Sequence, residues 1–175
     1  MSEPQSQHLL DDIESRLRLW HERCADRPPQ LLDRQPAPGV WSVKQNTFHL
    51  GDAFEASIHR VNAMLSSDCP QLLRFDADEW AAERRYQERP FDEALQALDK
   101  HVAAFVSLVR PLGPDELSRT GRQPNLAMNY LKLPTEVLTI DQLLVFEVGH
   151  VDEHLASVDE ILTVWGNDST GRTSG

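Results

Sequence analysis

Two histidines near the end of the chain, His150 and His154, stand four residues apart in a segment with helical periodicity. In an α-helix this step turns the side chain by about 40° and raises it by about 6 Å, so both imidazoles leave the same face. Two neutral imidazoles placed in this way can bind one divalent transition metal. The pair alone also fits a simpler interpretation, in which one histidine is hydrogen-bonded in the core and the other is solvated.

A third histidine, His49, lies two turns into an earlier predicted helix, within the segment WSVKQNTFHL. It shares one side of that helix with the polar residues Gln45 and Asp52, beside an apolar stripe. Cofactor sites in helix bundles are built from facing helices, so this side can face the edge that carries His150 and His154. Taken alone, His49 would be a partly buried histidine that donates to a carbonyl. The three histidines together predict a site for one divalent metal ion. Zinc and nickel are the leading candidates, because imidazole ligands suit both.

Two carboxylates accompany the histidines and are candidates for catalytic roles. Glu147 lies one turn before His150 on the same face, where it could orient the ligand or accept a proton. Asp52 follows His49 by three residues and could do the same. The simpler interpretation is that each is an ordinary solvated carboxylate. Three neutral ligands leave the full charge on the metal and an open coordination position, which suits hydrolysis and thiol transfer equally well.

Four long helices must position these side chains. Apolar residues at three- and four-residue steps predict helices over 8–25, 43–66, 91–110 and 139–165, with a shorter helical stretch over 76–89. Capping-box patterns, Ser42 with Gln45 and Thr139 with Gln142, mark the starts of two of them.

The connections between these helices complete the fold prediction. Residues 111–138 are rich in proline and glycine and predict a long irregular connection, of the kind that is usually a functional loop or a crossover. We therefore expect an all-α four-helix bundle with long crossover connections over 8–165, flanked by disordered ends at 1–7 and 166–175.

Composition narrows the class of partners. The 175 residues suit one domain, and 17 basic against 28 acidic side chains give a formal charge of −11, which disfavours nucleic acid. No apolar run approaches the length of a membrane span and no leader pattern opens the chain, so we expect a cytoplasmic protein. Two cysteines without a short spacing indicate neither a disulfide framework nor a thiolate metal site.

The order of the motif residues resembles the DinB/YfiT-like superfamily. The resemblance rests on Trp41 and Ser42 after a proline-rich connector, then His49, then the H-x-x-x-H formed by His150 and His154, and it covers nearly the whole chain. It implies a four-helix bundle with a three-histidine metal site at these three positions. Members of the superfamily include bacillithiol transferases and mycothiol-dependent enzymes. The resemblance therefore implies a metal-dependent thiol S-transferase that acts on small electrophiles, with a low-molecular-weight thiol as cosubstrate.

Two other functions stay open from the sequence: a metal-dependent hydrolase of small esters or amides, and a non-catalytic bundle that binds a metal or a ligand. A pocket that opens onto the metal would favour an enzyme, whereas a fourth protein ligand would favour the binding protein. The expected partners are a small-molecule substrate and a second copy of the chain in a homodimer, with no nucleic acid and no membrane.

Overall fold

Four long helices carry the apolar core, and shorter elements fill the connections between them. The computed structural model describes residues 3–168, with side chains over 5–164. In chain order the helices are α1 (Glu3–Cys24), α2 (Pro29–Asp33), α3 (Val43–Ser66), α4 (Ala77–Glu83), α5 (Phe91–Val109), α6 (Pro114–Leu117) and α7 (Ile140–Asp168). Two short strands, β1 (Thr120–Arg122) and β2 (Val137–Thr139), stand between α6 and α7. The predicted all-α four-helix bundle is confirmed.

The long helices do not pack in their order along the chain. Helix α1 packs on α7 and α5, and α3 packs on the same two helices, so α1 and α3 lie at opposite corners of the bundle. The connection from α1 to α3 therefore crosses the end of the bundle, and its proline-rich composition suits an extended crossover. This arrangement makes α3 and α7 neighbours, and these are the helices that carry the three histidines.

Helix α3 begins and ends where the sequence predicts. The Ser42 hydroxyl accepts from the Gln45 backbone N–H at 3.2 Å, and the Gln45 side chain accepts from the Ser42 N–H at 2.9 Å. Thr139 and Gln142 make the same reciprocal pair before α7. Each pair satisfies backbone donors that the first helical turn leaves free, and so determines where the helix begins.

The stretch 111–138 is more ordered than the sequence suggests. Strands β1 and β2 pair antiparallel, with Gly121 opposite Leu138. A Cβ on Gly121 would lie 2.6 Å from the Leu72 side chain, so any larger residue here would force that leucine to shift. Between the strands, Asn125–Tyr130 forms one π-helical turn. The paired strands therefore bracket this turn.

Both chain ends depart from the predicted disorder. Helix α1 begins at Glu3 rather than at residue 8, because the first turn is held by the rest of the protein: Ser6 is buried, and the Gln7 amide donates to the Arg110 carbonyl at 2.9 Å. Helix α7 continues through Gly166 to Asp168, since one glycine inside a helix costs only about 1 kcal/mol. The remaining residues of the two predicted tails, 1–2 and 169–175, lie outside the described residues.

The core is continuous along the bundle axis. Its largest fully buried side chains include Trp20, Phe54 and Phe105, and the Trp20 indole N–H donates to the Thr47 hydroxyl at 3.2 Å. Over residues 3–168, no helix combines the length and the apolar composition that crossing a bilayer requires.

Candidate metal centre

The three histidines singled out in the sequence meet at the junction of α3 and α7. The Nε2 atom of His150 lies 3.0 Å from Nε2 of His49 and 3.1 Å from Nε2 of His154. One nitrogen from each ring falls within 4.8 Å of the other two. His49 and His150 are 5% and 9% exposed, and His154 is partly buried. Three lone-pair donors therefore converge on one point beneath the protein surface.

The donor set fits a divalent transition metal. Ligand nitrogens of a tetrahedral site with ordinary metal–nitrogen bonds lie about 3.3 Å apart, close to the two short separations seen here. Burial, and secondarily the neighbouring histidines, lower the pKa of His49 well below its ordinary value of 6.5, and lower the pKa of His154 to about 3. Both rings are thus neutral at physiological pH, which is the state that binds a metal.

Asn46 is a residue of the centre that the sequence analysis missed. Its Oδ1 lies 2.7 Å from Nδ1 of His154 and accepts that N–H, which leaves Nε2 of His154 with its lone pair toward the centre. The Asn46 amide group is held in turn by the Ser42 carbonyl at 2.8 Å. Its position three residues before His49, on the same helix face, was the available signal.

Glu147 lies beside His150 but does not line the cavity onto which the histidines open. It is fully buried, and its Oε1 accepts from the Ser57 hydroxyl at 2.5 Å. Its Oε2 is 3.9 Å from Nδ1 of His150, and neither of these two atoms has a hydrogen-bond partner among the described residues. This placement suits the orientation of His150 that the sequence suggested, and it gives Glu147 no direct contact with the pocket.

Asp52 occupies a different part of the molecule from the one predicted. A step of three residues turns its side chain by about 60° from His49, in the direction opposite to that of Asn46, and so moves it away from α7. Its carboxylate accepts from Arg84 at 2.6 Å and from the Tyr86 hydroxyl, and it lies outside the three-histidine group. Burial raises the pKa of Asp52, although the bonds from Tyr86 and Arg84 oppose that rise. The sequence-based expectation that Asp52 stands beside the metal ligands is wrong.

A cavity of about 400 Å³ opens onto the histidines. Aromatic rings form part of its wall: Phe75 stacks on His49 with ring centroids 5.3 Å apart, and Phe146 stacks on His150 at 5.0 Å. The segment 111–138 contributes further lining residues: Gln123, Asn125, Leu126 and Tyr130. The cavity thus combines a metal-binding end with apolar surface able to hold the body of a small molecule.

Fold and site together define a class: four-helix bundles in which histidines from two adjacent helices converge at a pocket. The family model of the DinB superfamily matches residues 12–158. The chain belongs to this superfamily.

Relatives within this superfamily carry names that refer to a metal. The chain is 22% identical to the "Putative metal-dependent hydrolase YfiT" of Bacillus subtilis over 153 residues, which cover 87% of this chain and 80% of that protein. It is 27% identical over 115 residues to a protein of the same printed description from Oceanobacillus iheyensis, covering 66% of each chain. The relatives and the three-histidine group support dependence on a divalent metal.

The fold also matches a solved structure. YfiT from Bacillus subtilis, described as "a probable metal-dependent hydrolase with an unusual four-helix bundle topology", superposes with a TM-score of 0.81 at 20% identity. The match covers 95% of this chain and 90% of the other. At this identity the comparison establishes the bundle topology.

Proposed function

We propose that this protein is a metal-dependent enzyme that transfers a low-molecular-weight thiol onto small electrophiles. The observation that carries the proposal is that the ligand atoms of His49, His150 and His154 converge at the wall of an open cavity. Among the side chains described, those of residues 5–164, no fourth histidine, cysteine or carboxylate joins the group. A closed structural site uses four protein ligands, whereas three ligands leave room for a reactant, so this arrangement supports catalysis over simple metal storage.

The placement of the carboxylates favours a thiol over water as the nucleophile. A divalent ion held by neutral imidazoles lowers the pKa of the water or thiol that it binds, and so supplies a nucleophile at neutral pH. Water, with a pKa near 15.7, gains more from a general base than a thiol with a pKa near 8.5. Neither Glu147 nor Asp52 lies in the cavity, because Glu147 is buried beside His150 and Asp52 binds Arg84 and Tyr86. The carboxylates that do line the cavity, Asp76, Asp78 and Glu153, are at least partly exposed, and none of them joins the three-histidine group.

The residues of the cavity would orient the reactants rather than exchange protons with them. The thiol sulfur forms a bond to the electrophilic carbon, the leaving group departs with the electron pair of its bond to that carbon, and the thiol proton passes to solvent. Asn46 holds His154, and Phe75 and Phe146 hold the other two rings against rotation. The aromatic walls exclude water from the electrophile and bind its apolar body.

Hydrolysis of small esters or amides is the second candidate. It is favoured by the printed names of the relatives, which refer to metal-dependent hydrolases. The same three histidines would serve it, and Glu153, an exposed carboxylate that lines the cavity, would be available to accept a proton.

The two activities separate in one set of assays. Zinc- or nickel-loaded protein is mixed with bacillithiol, mycothiol, glutathione or cysteine and with monochlorobimane, and conjugation is followed by fluorescence. We expect a rate above the spontaneous reaction that disappears in His150→Ala. His59→Ala is the matched control, because His59 is an exposed histidine on α3. Cleavage of model esters without thiol conjugation would support the hydrolase instead.

A further inference from the structure

Arg60 is a buried cation in the wall of the metal cavity. It lies eleven residues after His49 on α3, which is three helical turns, so the two residues share one face. It is only 4% exposed, and it lines the same cavity as the three histidines. Side chains of a helix lean toward its N-terminus, and Arg60 leans back far enough for its Nη1 to lie 3.4 Å from the Ser57 hydroxyl. The guanidinium therefore reaches toward the metal end of the cavity.

No carboxylate of the described residues forms an ion pair with this guanidinium. Its Nε donates to the Leu73 carbonyl at 3.2 Å and its Nη1 to the Ser57 hydroxyl, which uses two of its five N–H groups. Among the described residues it forms no ion pair within 4.0 Å. Glu147 is close enough to favour the charged form, but the Ser57 hydroxyl stands between the two groups and donates to Glu147. Three of the five N–H groups of Arg60 have no protein partner among the described residues, so the guanidinium can bind an anion that enters the cavity.

The charge of the surroundings indicates what kind of anion fits. The exposed acidic residues Asp78 and Glu153 line the cavity, and the whole chain carries a formal charge of −11. This field repels a phosphate dianion more strongly than a single carboxylate. A carboxylate also matches the planar fork of the guanidinium, with two parallel hydrogen bonds.

We propose that Arg60 binds a carboxylate of the substrate or cosubstrate, and that the enzyme acts on small monocarboxylates. The proposal rests on the proposed function for the identity of the reacting end, a thiol directed at the three histidines. It adds how the other end of that substrate or cosubstrate is bound: Arg60 anchors the carboxylate while the aromatic wall holds the carbon chain. Arg60 is then a specificity determinant that does not touch the reacting atoms.

Matched ligand pairs test this without an activity assay. Cobalt-loaded protein is titrated calorimetrically with 3-mercaptopropionate and 6-mercaptohexanoate, and with the primary amide of each, which keeps the shape and removes the charge. Loss of one charged, hydrogen-bonded pair corresponds to a change of about tenfold or more in affinity. We expect the better-fitting acid to bind the wild type at least about tenfold more tightly than its amide. Arg60→Gln should abolish this preference and leave the affinity of the amide unchanged.

Two further variants separate the effect of position from that of charge. Arg60→Lys should keep part of the preference, because it retains the charge and loses the fork. Arg74→Gln makes the same charge change at an exposed side chain outside the cavity lining and should behave as wild type. Circular dichroism and metal content establish that each variant is folded. If Arg60→Gln does not fold, the acid–amide comparison in the wild type and in Arg60→Lys still decides the question.

The outcomes distinguish this inference from the proposed function. Equal affinity for acid and amide, no binding of either, or an acid preference that survives in Arg60→Gln would overturn the role of Arg60. The thiolate-to-cobalt absorption band reports separately on the reacting end. An acid preference that depends on Arg60 without that band would support the role of Arg60 and contradict thiol transfer.

Discussion

Helix α3 contributes to two buried polar clusters, one that contains His49 and one that contains Asp52. The clusters differ in whether their polar atoms find partners within the protein. The first contains His49, whose Nε2 lies 3.0 Å from Nε2 of His150, which in turn lies 3.1 Å from Nε2 of His154. The second contains Asp52, whose oxygens accept hydrogen bonds from Arg84 and Tyr86, while Arg84 also binds Glu55 at 2.6 Å. Acceptors face donors in the second cluster, whereas in the first the buried Nδ1 atoms of His49 and His150 have no partner among the described residues.

This difference separates a site from a structural contact. The Asp52 cluster is complete within the protein, so it ties α3 to the segment after α4 and gains nothing from a ligand. The histidine cluster becomes complete only when a cation binds among its nitrogens. Both clusters are polar and buried, so burial and polarity alone would not tell them apart. The arrangement of donors and acceptors does.

The largest expected effect is the loss of metal binding when a ligand is removed. His49→Ala, His150→Ala and His154→Ala should each lower the affinity for zinc by more than about 100-fold, since even the loss of an outer partner costs 10–100-fold. Competition with a chromophoric chelator measures the affinity. Asp52→Ala should keep wild-type affinity. If Asp52→Ala weakened zinc binding as much as the histidine variants, the distinction between the clusters would fail.

Removal of the Asp52 carboxylate should instead reduce stability. Asp52→Ala leaves the buried Tyr86 hydroxyl without its acceptor and deprives Arg84 of one partner, so we expect a loss of about 3 kcal/mol in the free energy of unfolding. Urea denaturation of the metal-free protein measures it. Asp152→Ala breaks an exposed pair with Arg16 and should cost less than about 1 kcal/mol. Similar losses in both variants would show that the Asp52 cluster has no special structural role.

Acid should destabilise the metal-free protein through the histidine cluster. The pKa of folded His154 is about 3, whereas that of an unfolded histidine is about 6.5. Between these values the unfolded chain binds more protons, so stability falls as the pH is lowered through this window. His154 alone should account for a loss of about 2 kcal/mol between pH 7 and pH 5. Urea midpoints at the two pH values should shift less in His154→Gln than in wild type.

His59, an exposed histidine on α3, provides the control for that measurement. His59→Gln should show the full acid-induced loss of the wild type, because His59 is exposed and lies outside the three-histidine group. An equal shift in all three proteins would mean that the buried ring is not held neutral by the fold.

The supporting bond from Asn46 should have a moderate effect. Asn46→Ala removes the acceptor that fixes the ring of His154, and we expect zinc affinity to fall about tenfold. Asn46→Asp offers an oxygen at the same place and should retain most of the affinity. The chelator competition used for the histidines measures both. If the alanine and aspartate variants bound zinc equally, the bond would have no part in positioning the ligand.

The smallest effects concern two glycines beside the clusters. A Cβ at Gly149, next to His150, would meet nothing within 4 Å, so Gly149→Ala should stabilise α7 by about 1 kcal/mol. A Cβ at Gly51, between His49 and Asp52, would lie 3.2 Å from the backbone nitrogen of Leu98 on α5, so Gly51→Ala should destabilise. Melting temperatures of the two variants should move in opposite directions. A shift of the same sign in both would contradict this account of the space around the two helices.

Much of the fold and of the ligand set was predictable from local rules. Helix α3 begins and ends as its capping box and apolar stripe indicate. The spacing of His150 and His154 guarantees a shared face on any straight helix. Residues 3–7 were mispredicted because their composition is polar, and it is contacts with Arg110, about a hundred residues away in sequence, that hold them in a helix.

The sequence by itself determined the helices, their caps and the face from which each histidine projects, because these depend on residues within one or two turns of one another. Only the tertiary structure decided that α3 packs beside α7 and diagonally to α1, because that choice depends on how whole apolar faces fit together. The same packing brought Arg84 and Tyr86 within hydrogen-bond distance of Asp52. It also placed Asn46 against His154 and buried Arg60 in the cavity wall. Only three residues separate His49 from Asp52, yet the rotation of about 60° between them places His49 at the metal site and Asp52 in a structural contact.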